Sequence, residues 1–207
     1  NLQQPGTGMN VDAVRSTHDE TENVALLGNF IDWVCNVLPP TGWLVTWCDY
    51  TMWETLKRWL EGHKRPLRVQ RWPFVWLKEG QQCQNSMPYS NFTKTTEIAL
   101  VAAGPKATLS YASVAGHWKG SGVADKSVYN PTNPFWKPVL LHNYIIEAIS
   151  SPGQTICDPF AGSGSIPYAC QKTGRSALAN EIDPNHYNDM RRRLTAPPLP
   201  KAPMELL

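Results

Sequence analysis

The octet Asp158-Pro159-Phe160-Ala161-Gly162-Ser163-Gly164-Ser165 narrows the possible folds more than any other part of the chain. Gln154 to Cys157 before it has strand length, and Gly164 to Lys172 after it has helical apolar spacing. Glycines between a strand and a helix let backbone and ligand approach closely, and the helix start offers unpaired N–H donors. In open α/β sheets, ligands bind beyond the carboxyl ends of strands, where Asp158 is expected. Ala177 to Ile182 reads as the next strand, with Glu181 at its end, 19 residues past Gly162. A carboxylate there can accept hydrogen bonds from both hydroxyls of a ribose. Tight packing alone would explain two glycines, but not the octet together with Glu181. The unit therefore reads as a nucleotide-type cofactor loop. A dinucleotide loop expects a third glycine where Pro167 stands, and a Walker loop needs Gly-Lys-Ser/Thr, which is absent.

The rest of the chain supplies further α/β elements. Helices are expected over Glu20–Leu38, ended by Pro39-Pro40, over Tyr50–Glu61, over Pro138–Ser150 and over Pro184–Leu194. Strands are expected at Trp43–Cys48, Leu67–Leu77 with a bulge or edge at Pro73, and Thr96–Ala103. Residues 1–20, 79–94 and 104–136 read as loops. A loop as long as 104–136 is commonly functional. The Pro-rich tail 196–207 reads as extended. Alternation of strand and helix in the second half argues for parallel βαβ units. The whole is expected to be one domain over 1–207.

Composition excludes more than it assigns. Hydrophobic residues are 42% and charged residues 17%, with a net charge of +2, which permits nucleic-acid binding without arguing for it. The five cysteines and five histidines are scattered without zinc-ligand spacing, so no metal site is expected. They fit a reducing, cytoplasmic compartment. No apolar run has membrane-spanning length, and no signal peptide is seen. The chain lacks an initiator Met and is read as starting within a longer polypeptide. Most of the nine tryptophans are expected in the core.

At the octet the sequence resembles the DNA amino-methyltransferases of the adenine-N6 and cytosine-N4 family, whose cofactor motif is Asp-Pro-Phe-x-Gly-x-Gly-Thr/Ser. Trp136-Lys137-Pro138, Pro152-Gly153, and Asn180-Glu181-Ile182-Asp183-Pro184 with Tyr187 extend the likeness. More loosely, so do residues 20–48, Trp76-Leu77-Lys78 and Thr96-Glu97-Ile98. The resemblance covers residues 20–194 with the cofactor half last, the so-called beta order. It implies a Rossmann-like α/β fold: a mostly parallel seven-stranded sheet with helices on both faces. It implies S-adenosyl-L-methionine as cofactor, with Glu181 and Ile182 toward the nucleoside. Residues Asp158 to Ser165 would lie toward the methionine end, with Lys137 and Pro138. It implies methyl transfer to adenine N6, with cytosine N4 second, on a base flipped out of DNA, in a bacterial or phage restriction–modification setting.

The family's catalytic tetrapeptide, Asp/Asn/Ser-Pro-Pro-aromatic, is not in this sequence. Leu38-Pro39-Pro40-Thr41 lacks both the polar and the aromatic ends, and Met87-Pro88-Tyr89 falls at the wrong place in the order. Either Asn1-Leu2-Gln3 follows a tetrapeptide outside the sequence, or Leu2-Gln3-Gln4-Pro5 replaces it. The second case makes the chain an inactive scaffold for DNA or a catalytic partner subunit; a homodimer is the other assembly considered. The catalytic residues are thus unknown. An RNA or protein-glutamine methyltransferase is a third reading. Residues 104–136, with Lys106, His117, Trp118, Lys119, Lys126 and Tyr129, occupy the place of the family's target-recognition segment. The Gln and Asn residues of 79–94 are candidates for reading base edges. Arg191-Arg192-Arg193 is read as cations favouring a helix carboxyl end.

Overall fold

The computed structural model describes residues 20–79, 89, 90, 92–121 and 136–195. The two candidate registers around Asn1 to Pro5, most of the 79–94 loop, Lys126, Tyr129 and the 196–207 tail lie outside the described residues. The elements run α1 (Glu20–Val37), β1 (Trp43–Cys48), α2 (Tyr50–Gly62), β2 (Arg68–Val69), β3 (Phe74–Lys78), β4 (Thr96–Ala103), β5 (His117–Gly120), α3 (Val139–Ile149), β6 (Thr155–Asp158), α4 (Ser165–Thr173), β7 (Ser176–Ala179) and α5 (Pro184–Thr195).

Local chemistry sets the boundaries. Proline pairs cannot continue a helix, and α1 stops at Val37, with Gly42 N–H donating to Pro39 O at 2.8 Å in the turn that follows. Asp49 caps α2, its carboxylate accepting from Met52 N at 2.8 Å and Thr51 Oγ1 at 2.6 Å. The single strand expected over 67–77 is instead two, β2 and β3, broken before Pro73, which has no N–H to give a ladder. The loop expected over 104–136 contains a strand, β5. It pairs parallel to β3 with Trp118 opposite Trp76, and Trp76 Nε1 donates to Gly120 O at 3.0 Å.

β4 is the centre of the larger sheet, whose order is β1-β4-β3-β5 with β2 also on β4. It pairs antiparallel with β1, β2 and β3. Alternation along β4 divides the core. Leu100 and Ala102 face α1 and α2, packing with Ile31, Val34, Leu56 and Leu60. Ala99 faces the other way, toward Phe74, Trp76 and the α3 residues Leu141 and Ile145. Helices therefore cover both faces, as expected.

The sheet itself differs from the expectation. The described residues form five strands plus two in a mixed arrangement, and β6 and β7 make a separate parallel pair. β1 pairs on one edge with β4, and β6 on one edge with β7; among the described residues no strand pairs with their other edges. Both β1 (Trp43 to Trp47) and β6 (Thr155 to Asp158) line the same cavity of about 790 Å³. Phe30 and Val34 of α1 and Ile145 and Ile146 of α3 also line it. The cavity is thus a slot bounded by strands and by helices from both faces. Among the described residues, no helix is long and apolar enough to cross a membrane.

Leu100 has no exposed surface and joins β4 to the α1–α2 layer. Leu100→Ala is expected to destabilise the chain by about 2–5 kcal/mol. In urea unfolding, the midpoint falls while the slope stays unchanged.

Candidate functional site

The carboxyl ends of β6 and β7 lie side by side, and the loops leaving them are tied together. Asn180 N donates to Asp158 O at 3.0 Å, and Ala161 N donates to Asn180 O at 2.9 Å. Gly162 and Gly164 both have positive φ, 53° and 79°. Gly164 opens α4, and Tyr168 N donates back to its carbonyl at 3.1 Å. A Cβ on Gly164 would stand 2.6 Å from Met190 Cγ, so close packing of α5 also demands glycine there.

Glu181 binds the two loops. Its Oε2 accepts from Gly162 N at 2.6 Å and its Oε1 from Asp183 N at 2.8 Å. A carboxylate has about four acceptor sites, so each oxygen keeps capacity for a ligand hydroxyl. Strand β7 ends at Ala179, so Glu181 lies two residues beyond it rather than at its end as expected; the Asn180 hydrogen bonds take it there. Asp183 caps α5, accepting from Asn185 N at 2.7 Å and His186 N at 3.1 Å, and these bonds hold its carboxyl below the usual range.

Asp158 sits at the foot of the loop. Burial pushes its carboxyl up to about 6; the bond from Phe160 N at 3.2 Å opposes this, and the Glu181 charge adds to it. Phe160 is 61% exposed and Ile182 94%, so two apolar side chains flank these carboxylates uncovered. Ser163 and Ser165 are buried. Ser165 is held by Arg193, whose Nη1 donates to its Oγ at 2.9 Å while the guanidinium lies 5.2 Å from the Tyr168 ring centre. This corrects the reading of residues 191–193 as plain helix-end cations. Arg193 turns into the interior because α5 packs on α4, while Arg191 and Arg192 stay exposed, Arg192 paired with the buried Asp189.

Lys137 reaches the cavity from the segment before α3. Its Nζ is 3.1 Å from Glu97 Oε2 and 4.9 Å from the Trp47 ring centre. Glu97 Oε1 takes Lys78 Nζ at 2.6 Å. Burial disfavours the Glu97 charge, but Lys137 and Lys78 outweigh it and hold the carboxyl below its usual range. Pro138 stands at the N-cap of α3. His142, 5% exposed, also lines the cavity. Burial, then the charges of Lys137 and Arg193, push its imidazole down to about 3, so it is neutral at ordinary pH. No motif in the sequence pointed to His142, and Glu97 stood only within the looser likeness of Thr96-Glu97-Ile98; their relation to the cavity comes from packing.

The structure therefore brings Asp158 to Ser165, Glu181 and Ile182 together at two strand ends, with Lys137 on the wall of the adjoining cavity. It does not leave residues 117–120 in a free recognition loop. Lys119 pairs with Glu79 at 3.0 Å, and Trp118 packs on Trp76, because β5 joins the sheet edge. Among the described residues no group of three or more His, Cys, Asp or Glu could hold a metal ion.

Comparisons with solved structures define the class first. The M1.HpyAVI–SAM complex superposes with a TM-score of 0.72 at 22% identity, over 86% of each chain. The cytosine-N4-specific PvuII DNA methyltransferase superposes with a TM-score of 0.65 at 13% identity, over 84% of this chain and 73% of that one. The fold is that of the methyltransferases. The DNA methylase family, comprising the N6 and N4 methyltransferases, matches residues 6–192, and the chain belongs to it. The type II methyltransferase M.HpaI of Haemophilus parainfluenzae is 30% identical over 77 residues, and the matched stretch covers 37% of this chain and 24% of that relative.

Gly164→Ala is expected to cost about 1–3 kcal/mol of stability through its positive φ. Adding Met190→Ala relieves the side-chain clash but not the backbone strain, so thermal unfolding of the pair should show less than the sum of the two losses.

Proposed function

We propose that this chain is an S-adenosyl-L-methionine-dependent DNA methyltransferase acting on adenine N6 or, second, cytosine N4. The observation that carries the reading is Glu181, with accepting capacity left on both oxygens, beside a turn in which Gly162 and Gly164 both have positive φ. The residues suit such a cofactor. Glu181 would take the ribose hydroxyls, and the uncovered Ile182 and Phe160 offer apolar surface for the adenine. Asp158 would face the cationic end. Residues Gly162 to Ser165 would lie toward the methionine end, beside the amino terminus of α4, and Lys137 with Pro138 would complete that wall. The bound cofactor supplies an electrophilic methyl group. The chain's own residues bind and orient it, and Arg193 keeps Ser165 and the loop in place.

DNA as substrate rests on membership of the DNA methylase family. The decisive experiment measures tritiated methyl transfer to duplex DNA by the complete encoded polypeptide. Transfer to adenine or cytosine amines is expected; cofactor binding without transfer to DNA would sink the substrate assignment. A second reading, a non-catalytic scaffold completed by a partner, is favoured by the slot between β1 and β6, whose other edges pair with no strand among the described residues. Restoration of transfer on mixing with a second polypeptide would select it.

Two measurements test the cofactor contacts. Glu181→Ala removes the ribose acceptor and the Gly162 tie together, and calorimetry should show at least about a hundredfold weaker cofactor binding. Asp158 is ionised above about 6 and attracts a cation only then. Cofactor affinity should therefore fall as pH drops through about 6. Uncharged 5′-methylthioadenosine should show a flat profile over the same range, and Asp158→Asn should abolish the dependence.

A further inference from the structure

Lys78, Glu97 and Lys137 come from three separate segments: the last residue of β3, the second residue of β4 and the residue before the Pro138 cap. Glu97 stands opposite Trp76 in the ladder between β3 and β4, and Lys78 N donates to Thr95 O at 2.8 Å. The carboxylate is thus mounted on the most buried strand of the sheet. Its two oxygens each hold one ammonium, at 2.6 Å and 3.1 Å. The three side chains are only 16%, 27% and 18% exposed in chain order. One carboxylate between two ammoniums leaves one net positive charge on the wall of the cavity. The ammoniums also lie over rings, Lys78 over Trp76 at 5.1 Å and Lys137 over Trp47 at 4.9 Å.

A partly buried ion network is poor evidence for stability, because desolvation offsets its attraction. What such a network does well is fix direction. A lysine has a flexible four-carbon stem and three donors, so left alone it samples many positions. Here the Lys137 backbone is fixed by the start of α3 and its ammonium is fixed by Glu97 and Trp47. Donors remain for a ligand in the cavity. Burial first, and then the charges of Lys137 and Arg193, hold the His142 imidazole neutral beside this corner.

We infer that Glu97 is a positioning residue: it clamps Lys78 and Lys137 so that the Lys137 ammonium is presented to the carboxylate end of an amino-acid-bearing nucleoside in the cavity. The ligand side of this inference rests on the cofactor reading above; the clamp does not. Glu97→Gln keeps the shape and removes the charge. Calorimetry on the variant should show S-adenosylhomocysteine bound about tenfold more weakly or worse, with 5′-methylthioadenosine, which lacks the amino-acid tail, changed less than about twofold. Lys137→Met should reproduce this, and Glu97→Gln combined with Lys137→Met should be no weaker than Lys137→Met alone. Without ligand, reductive methylation followed by mass spectrometry should find Lys78 and Lys137 slow in the unaltered chain and several-fold faster in Glu97→Gln. Equal loss for both ligands, additive effects in the double variant, or unchanged lysine reactivity would each overturn the proposal. If Glu97→Gln does not fold, Glu97→Asp, too short to span both lysines, is compared in the same way. Failure of the unaltered chain to bind either ligand removes the cofactor reading, while lysine reactivity still decides the clamp.

Discussion

Three strands depend on the one backbone of β4. Its residues Ile98, Ala99, Leu100, Ala102 and Ala103 have 2% exposure or less, and β1, β2 and β3 all take hydrogen bonds from it. Burial on this scale is affordable only because the strand's polar groups are satisfied on both edges. Small alanines let helices approach one face while Leu100 fills the other. The strand also carries Glu97 near its start, and Glu97 holds Lys137 of the cavity wall. Trp47 and Lys137, which line that wall, are placed by reference to β4.

The glycine loop depends on a different tie. Among the described residues β6 and β7 form a two-stranded parallel pair, and such a pair has little stability of its own. It is held by α4 against α3 through Val139, Ile146, Ala169 and Cys170. Its functional end is held by Glu181, which joins the loop after β6 to the loop after β7, and by Arg193, which reaches Ser165 from α5. The same carboxylate that organises the loop thus has the remaining acceptor sites through which a ligand would be held. Preorganisation of this kind lowers the ordering cost of binding.

Much of this was legible in the residues. The Asp158–Ser165 loop and the α4 helix were placed by glycine and apolar spacing alone, because the constraints there are local; Glu181 was picked out as well, but two residues nearer the strand than it stands. Strands β1 and β4 and helices α1 and α2 were visible for the same reason. The rest was hidden by contacts distant in sequence. His117–Gly120 carries no strand pattern and becomes β5 only because β3 offers an edge. Leu67–Leu77 looked like one strand because its apolar run continues across Pro73, whose missing N–H interrupts it. Arg193 looked like a surface cation because nothing in a run of three arginines tells which one a neighbouring helix will cover.

By itself the sequence determined the glycine loop and the βαβ unit that carries it. These follow from dihedral freedom, periodicity and capping, which act over a few residues. Tertiary structure alone decided that Glu97 joins Lys78 to Lys137, that His142 is buried neutral on the cavity wall, and that β1 and β6 line one slot. Those outcomes depend on which surfaces pack together, and packing brings together residues whose separation along the chain carries no signal.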